Sequence, residues 1–551
     1  MTLIPRIRDQ AHKKRLPYVL MVLLLIPSLY WIAHDKAIWA WDEAWYGEVS
    51  VDLWGTLINH PSGWWSAMVS AFGVKAPGIA WLGQLFVPLG QLVGSVEFGL
   101  LLSISIVQFG TLVLTYKLGR ELIPNQIMAP LVGSVFVAAA PLFIALSHLY
   151  FVEPLQLFAV TYFFWIAAKS YSLGKTAILG HLLLAADVAL IAKVDSPIYC
   201  FFPGCIALYE FFTCERKDAT VVRNSMWRRA PTLVVGIAIF LVGLVWYWRN
   251  YSALRDFIVL AVSSDLPLDY GRKDIFVNKL SYWLVATQQS FAIPTVLAIV
   301  GAVALLGVAK AVMRLAGERR FQINRFDFLA LAALVHVALV LTLLSVNIVE
   351  ENRYLLPLLP SIVVLVLWAL SQARNRYIGI AVLSALIGQW TFVHARTLGF
   401  IQPIPNISYW VRPINIDRVP MNEMERLITL TCNSRTENRY NIVGVELPWL
   451  NANSLSFFSA KARLTNNVRC YYTSLGYAEK DSTRAWDRLN SMKIASFISL
   501  EKSAHPELPN FINQVSLPIF QKIRNDSHFA QQPFESELKI VVFGNQDDAA
   551  R

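Results

Sequence analysis

Charge is scarce in this chain. Of 551 residues only 15% are Asp, Glu, Lys or Arg, while 56% are hydrophobic. A soluble protein of this length would carry about 25% charged residues. The composition therefore excludes an ordinary soluble enzyme and reads as a polytopic membrane protein. Metal motifs are missing as well: the five cysteines form no CxxC pair, and neither HxxxH nor HExxH occurs. Cys200, Cys205 and Cys214 lie in or beside one apolar segment and read as inert packing residues. Cys432 and Cys470 lie in the polar C-terminal part, where an extracytoplasmic location would permit a disulfide. There is no glycine-rich nucleotide fingerprint in that part and no internal repeat. No small-x-small cleavage site follows the basic N-terminus and its apolar run, so that run reads as an uncleaved first span.

What the chain does have is aromatics, long apolar runs and positive charge. Eighteen tryptophans and twenty tyrosines fit belts at many membrane interfaces. The formal net charge is +11. A nucleic-acid binder would gather such charge on one face. Here it falls mainly in short loops, so it is a topology signal, and anionic lipid or phosphate is the expected partner.

Apolar runs of spanning length fall at about 16–33, 77–96, 98–116, 127–146, 154–168, 176–192, 196–214, 231–248, 291–313, 327–348, 355–372 and 377–395. The second and third are too close for a comfortable loop and count as one bent span or a surface helix. Basic clusters stand at Arg6–Arg15, Lys117/Arg120, Lys169/Lys175, Arg216–Arg229, Lys310–Arg325 and Arg374/Arg376. About eleven crossings with a cytoplasmic N-terminus put every cluster inside, as the positive-inside rule requires. The same choice puts 34–77, 148–154, 193–197, 249–290, 350–354 and everything after Arg396 outside. The expected architecture is a transmembrane domain over 1–398 and an extracytoplasmic soluble α/β domain over 399–551. Strands are expected at YNIVGVEL, VRCYYT, IASFISL and LKIVVFG, and helices at MNEMERLITL, STRAWDRLNSM and LPNFINQV. The stretches at 41–58 and 61–73 read as helices lying in the membrane surface. The polar centre of 249–290 reads as a lid.

The candidate chemistry lies on the outer side. Asp42 and Glu43 stand among Trp39, Trp41, Trp45 and Tyr46. A partly desolvated carboxylate there can act as general base towards a hydroxyl or amine. Pairing with Lys36 or a helix-capping role is the plainer reading. Glu43, about 100° round a helix from Asp42, is its expected support. Glu153 precedes Pro154 at a helix start, where acid and proline are both at home; alternatively it is a second acid, holding an acceptor or, with Asp42, a divalent cation. Lys75 and Lys193 each precede a proline at the mouth of an apolar run. Either they bind phosphate as point charges or, for Lys193, Asp195 neutralises it. Arg353, with Tyr354 beside it, fits a phosphate at the bilayer surface or pairs with Glu350 or Glu351. Arg249 is a weaker case of the same kind. His148 and His394 are lone histidines near span ends, assigned to no metal.

These elements, in this order, resemble the GT-C superfamily of membrane glycosyltransferases, in particular the branch of the protein O-mannosyltransferases and the lipid A aminoarabinose transferases. The DE pair of the first outer loop is matched by Asp42-Glu43, the lysine-proline motif by Lys75-Ala76-Pro77, and the second acid by Glu153-Pro154. A further lysine motif is matched by IAKVDSP around Lys193, and an RYLLPLLP-like segment by Arg353 to Pro360. Ala76 and Val194-Asp195 depart from the family pattern. The resemblance implies a polyprenyl-phosphate-linked sugar as donor and a lipid, glycan or protein as acceptor. Asp42 would be the base, Glu153 the acceptor-positioning acid, and Lys75, Lys193 and Arg353 the phosphate ligands, with inversion at the anomeric carbon. It implies no certain cofactor and an integral plasma (inner) membrane location with the site on the extracytoplasmic face. A polyprenyl-linked glycan flippase is the alternative, and a non-catalytic scaffold a third. A transporter should bury ionisable groups at mid-membrane, where only Asp187, His181 and His336 fall.

Overall fold

The computed structural model describes residues 4–124, 126, 128–170, 175–213, 219–263, 273–317, 324–373, 375–402, 407–408, 410–434, 436–476, 479–501 and 513–546. Two compact units emerge. The first comprises Met1–Ala33, Phe72–Ile79 and Leu101–Pro413; the second comprises His34–Ala71, Ala80–Leu100 and Ile414–Arg551.

The chain is a multi-pass membrane protein. Among the described residues eight helices are long and apolar enough to cross a bilayer: Arg15–His34, Val96–Leu122, Lys175–Ala192, Pro231–Leu260, Pro294–Arg314, Arg325–Val346, Asn352–Ala373 and Arg376–Thr397. The run expected at 77–96 is instead two six-residue helices, Gly78–Gly83 and Val87–Leu92, too short to cross. The run at 127–146 is divided at Ala140 into helices Met128–Ala139 and Pro141–Ala145, because Pro141 starts a new helix and donates no N–H. Arg249 sits inside one continuous helix, Ala219–Ser263, and not in a loop. The centre of the expected lid, 264–272, lies outside the described residues.

Helix ends in the first unit are tied by side chains. Asn324 caps Arg325–Val346 by accepting from the Asp327 N–H at 2.9 Å. Buried Gln389 donates to the carbonyls of Ala139 (2.9 Å) and Phe291 (3.0 Å) and accepts from the Ile293 N–H (2.8 Å), serving two helix breaks that water cannot reach. Helix Lys175–Ala192 crosses Ala219–Ser263 at glycine. A Cβ on Gly180 would lie 2.9 Å from the Leu233 nitrogen, and one on Gly236 would lie 2.7 Å from the Gly180 carbonyl. Only small residues let membrane helices approach so closely. The crossing fixes the helix that ends just before Lys193.

The second unit is built on a five-stranded sheet. Its strands are β1 (Tyr440–Val443), β2 (Tyr471–Ser474), β3 (Ile494–Leu500), β4 (Phe529–Gln532) and β5 (Ile540–Asn545). The order is β2-β1-β3-β5-β4, with β2, β1 and β3 parallel and β5 and β4 antiparallel. In register, Ile442 faces Thr473 and Phe497, and Leu500 faces Ile540. β3 is buried along its whole length, as a central strand covered on both faces must be. One face packs Val443, Ile498 and Val542 with Leu427, Leu455, Phe458 and Ile38. The other packs Ile442, Phe497 and Phe543 with Leu489, Ile519 and Ile523. Cys432 and Cys470 form a disulfide in the first of these cores.

Four strands and two helices fall where the sequence places them. β4 and helices Ala452–Asn466 and Ser516–Asn525 were not foreseen, and most of LPNFINQV lies outside the described residues. Asn451 caps Ala452–Asn466 through the Ser454 N–H at 2.9 Å, and Asn467 ends it with a φ of 56°.

Candidate active site

In the first unit the sequence-selected residues Glu153, Lys193, Arg353 and Tyr354 come together. Glu153 opens helix Glu153–Lys169 with Pro154 in the first turn, and its side chain is fully buried. Lys193 follows the C-terminal end of helix Lys175–Ala192. Arg353 and Tyr354 stand in a 3-10 turn, Asn352–Leu358. Lys193 Nζ lies 3.3 Å from Glu153 Oε1 and 3.2 Å from Asp195 Oδ2. Arg353 Nε lies 3.7 Å from Glu153 Oε1 and 3.6 Å from Glu351 Oε2. The Tyr354 ring lies under the Lys193 ammonium at 4.0 Å, and the Phe151 ring under the Arg353 guanidinium at 4.7 Å. Gln156 Nε2 donates to Asp195 Oδ1 at 2.9 Å, and the Tyr199 hydroxyl donates to the Tyr354 carbonyl at 2.8 Å.

Burial pushes the Glu153 carboxyl up, but Lys193, Arg353 and hydrogen bonds outweigh it and hold it below the usual carboxylate range. Burial likewise lowers the Lys193 ammonium, while Asp195 and Glu153 carry it above its ordinary value. Glu153 thus sits between two cations that favour its ionised form. Among the described residues no group of three or more His, Cys, Asp or Glu is arranged to hold a metal ion. The pairing expected for Lys193 and Arg353 is present: Asp195 and Glu351 pair with them, and Glu153 joins each pair.

Lys75 and Arg249 belong to the same unit. The segment carrying Lys75 is pinned at three points. Phe72 and Gly73 take positive φ of 61° and 72°, and a Cβ on Gly73 would lie 3.9 Å from Asn250 Oδ1, next in sequence to Arg249. A Cβ on Gly78 would meet the Ile191 carbonyl at 2.6 Å, two residues before Lys193. The Tyr150 hydroxyl donates to the Ile79 carbonyl at 2.7 Å, three residues before Glu153. The segments bearing Lys75, Glu153, Lys193 and Arg249 are thus gathered at one end of the bundle. His148 is buried there, stacked on Trp31 with ring centroids 4.2 Å apart, and burial pushes its pKa well below the usual value. It is a neutral packing residue.

Asp42 and Glu43 belong to the second unit. They occupy the first turn of helix Trp41–Asn59, which has no side-chain cap at Ala40. Carboxylates there offset the helix dipole. Glu43 is buried and Asp42 half-buried. The preceding Trp41 has a φ of 38°, a left-handed conformation that costs a bulky residue about 1–3 kcal/mol. The stretch expected to lie as a helix in the membrane surface does form a helix, and one of its faces is turned inward. Glu43, Tyr46, Gly47, Ser50, Val51 and Leu53 are buried, and the contact is with helix Ala452–Asn466. Trp39 stacks on Phe457 at 5.0 Å, its carbonyl accepts from Ser454 Oγ at 2.6 Å, and Gly47 leaves room for the Phe457 ring. Trp39 is therefore a core residue, not a lipid anchor. Lower on the helix Asp52 pairs with Arg463, and burial and Asp52 together push the Glu48 carboxyl up to about 8.

One polar residue of this unit was not foreseen. Glu446 follows β1 and accepts from Trp41 Nε1 at 3.2 Å. Its burial raises its pKa to about 7. The signal in the sequence was an acid closing an otherwise apolar strand, GVEL.

No protein-family model matches this sequence, and no curated protein does. Solved structures do match its fold. ArnT from Cupriavidus metallidurans, in the apo state and bound to undecaprenyl phosphate, superposes with a TM-score of 0.58 over 96% of this chain and 97% of that one, at 13% identity. The mycobacterial arabinofuranosyltransferase AftD gives a TM-score of 0.51 at 11% identity, with 97% of this chain covering 40% of that one. The chain therefore shares its fold with ArnT.

Proposed function

We propose that this protein is a glycosyltransferase that moves a sugar from a polyprenyl-phosphate donor to an extracytoplasmic hydroxyl or amine. The observation that carries the reading is the gathering of Glu153, Lys193, Arg353 and Tyr354 at one end of a GT-C bundle. Charge balance gives the cluster its role. Glu153, Asp195 and Glu351 outnumber Lys193 and Arg353, so the resting arrangement satisfies its cations internally. A donor phosphate entering there would draw the two cations from the carboxylates. Lys75 and Arg249 supply further positive charge, and Tyr354 orients Lys193. ArnT, a neighbour of the same fold, has been captured with undecaprenyl phosphate, which is the donor chemistry these cations suit.

In the proposed reaction Asp42 takes the proton of the acceptor while its oxygen or nitrogen attacks the anomeric carbon. The carbon–oxygen bond to the phosphate breaks, and the polyprenyl phosphate leaves with the electron pair. Lys75, Lys193 and Arg353 stabilise the charge that develops on it. Glu153 positions the acceptor and Glu43 supports Asp42. One base and a single displacement give inversion. The proposed topology has about eleven crossings of the inner (plasma) membrane. It adds the helices at 128–145, 153–169 and 196–213 to the eight long ones, with the chemistry and the 399–551 domain outside. A disulfide in that domain suits an oxidising compartment.

The test is transfer from a polyprenyl-phosphate sugar in sealed vesicles of known sidedness. Asp42→Asn is expected to abolish transfer while the protein stays folded in the membrane, and the parent is expected to use only acceptor supplied at the extracytoplasmic face. Full activity of Asp42→Asn would remove the base assignment, and use of acceptor from the cytoplasmic face would reverse the topology.

A further inference from the structure

The Asp42 stretch packs on helix Ala452–Asn466 through Trp39 and is tied a second time, through Trp41, to the segment after β1. Trp41 pays for a left-handed backbone, φ 38°, immediately before Asp42. Strained residues persist only where their surroundings hold them. The hold here is polar: Trp41 Nε1 donates to Glu446 Oε2 at 3.2 Å. Glu446 is itself immobilised. Asn513 accepts from its backbone N–H at 2.8 Å and donates to its carbonyl at 3.0 Å, so one side-chain amide grips both backbone groups of the residue. Ser516 Oγ fixes Asn513 in turn, at 3.1 Å. Only 9% of Glu446 is exposed, and among the described residues no cation pairs with it. A buried carboxylate without a cation is costly to keep, and a neutral or apolar residue would pack there at less expense.

Its place in the sheet adds a second argument. β1 lies between β2 and β3, all three parallel, so the chain steps from β1 to β2 on one side and returns past β1 to β3 on the other. The crevice beyond the carboxyl ends of strands at such a reversal is where open α/β sheets place functional groups. Glu446 stands three residues past the end of β1, in that position.

We infer that Glu446 is a positioning residue for Asp42: through the Trp41 indole it fixes the first turn of helix Trp41–Asn59, and the C-terminal domain thereby becomes part of the catalytic apparatus. The inference rests on the reading of Asp42 as the base, and it gives the sheet domain a task beyond folding. Glu446 does not touch the reacting atoms. It sets the direction from which the Asp42 carboxylate meets the acceptor.

The experiment uses the full-length protein and two readouts. Trp41→Phe keeps the ring and removes the N–H; Glu446→Leu removes the acceptor; Glu446→Gln keeps an oxygen that can accept. In the transfer assay Trp41→Phe and Glu446→Leu are expected to lower kcat by ~10- to 100-fold, with the KM for the lipid donor within about twofold, because a misplaced reacting group costs rate and not donor binding. Combining them should add no further loss, and Glu446→Gln should restore kcat to within about threefold of the parent. Undiminished kcat in both Trp41→Phe and Glu446→Leu, or fully additive losses, would overturn the inference. Hydrogen exchange at 40–46 reads the positioning without any turnover. It should speed up by ~10-fold in Glu446→Leu and stay at the parental rate in Glu446→Gln. Unchanged exchange in Glu446→Leu also overturns it. If Asp42→Asn retains activity while exchange responds as expected, the base assignment fails and the Glu446 anchor stands.

Discussion

Glu153 and Glu446 are both buried carboxylates at the end of a secondary-structure element, yet their surroundings drive them in opposite directions. Glu153 opens a helix in the first unit and meets two cations, which hold it ionised despite full burial. Glu446 follows a strand in the second unit and meets one indole N–H, so burial wins and lifts its carboxyl to about 7. Burial costs the charged form of each. What differs is whether charge or only a neutral dipole repays that cost. The first arrangement makes a buried ionic cluster in which each cation has two carboxylate partners. The second makes a group close to its titration point, held in place by hydrogen bonds.

The comparison can be broken at its strongest point first. Lys193→Met would leave Glu153 with Arg353 as its cation. Uncovering a buried charge costs about 3–5 kcal/mol, so the apparent melting temperature of the detergent-solubilised protein should fall by several degrees. An unchanged melting temperature would mean that Arg353 neutralises Glu153 by itself. Glu153→Gln should cost less, about 1–3 kcal/mol, because Lys193 keeps Asp195 and Arg353 keeps Glu351. If it costs more than Lys193→Met, the cations and not the acid are the group that needs company.

The smallest effect concerns Glu446, and its sign depends on pH. Its folded pKa of about 7 lies above the ordinary value of 4.5. Between those values the folded state holds a proton that the unfolded chain has released. Unfolding then releases protons, and stability falls as pH rises through that window. Glu446→Gln should remove this slope: near the parent's stability at pH 5 and more stable than the parent at pH 8. Glu48, pushed up to about 8 beside Asp52, adds a slope of the same sign that extends further towards alkaline pH. Unfolding monitored from pH 5 to 8 should therefore keep part of its decline in Glu446→Gln. A variant less stable than the parent at pH 8 would show that the carboxylate is repaid in full by the indole.

Much of the candidate site was legible in sequence because membranes make ionisable residues conspicuous. Glu153, Lys193 and Arg353 stood out as isolated charges at the mouths of apolar runs. The partners were partly visible: Asp195 and Glu351 are close in sequence to the cations they meet, and local pairing can be read along a chain. The link between Lys193 and Glu153 spans 40 residues and could not be. Glu446 was missed for the same reason, since its partner Trp41 lies 405 residues away. Trp39 could count among the belt tryptophans because an aromatic just after a span looks the same whether it meets lipid or Phe457. The break at Ala140 was missed because hydropathy does not register where a helix stops. β4 was missed because FAQQ lacks the β-branched pattern of a strand and is recruited by pairing with β5.

By itself the sequence determined that the chain crosses a membrane many times, that a mixed α/β domain follows, and which lone charges stand at the mouths of apolar runs. These follow from composition, period and the price of charge near lipid, which are local properties. Only the tertiary structure decided which charges neutralise one another, which face of helix Trp41–Asn59 is buried, and that the Asp42 stretch is carried by the sheet domain. Those outcomes depend on contacts between residues from tens to hundreds of positions apart, which the order of residues along the chain does not encode one at a time.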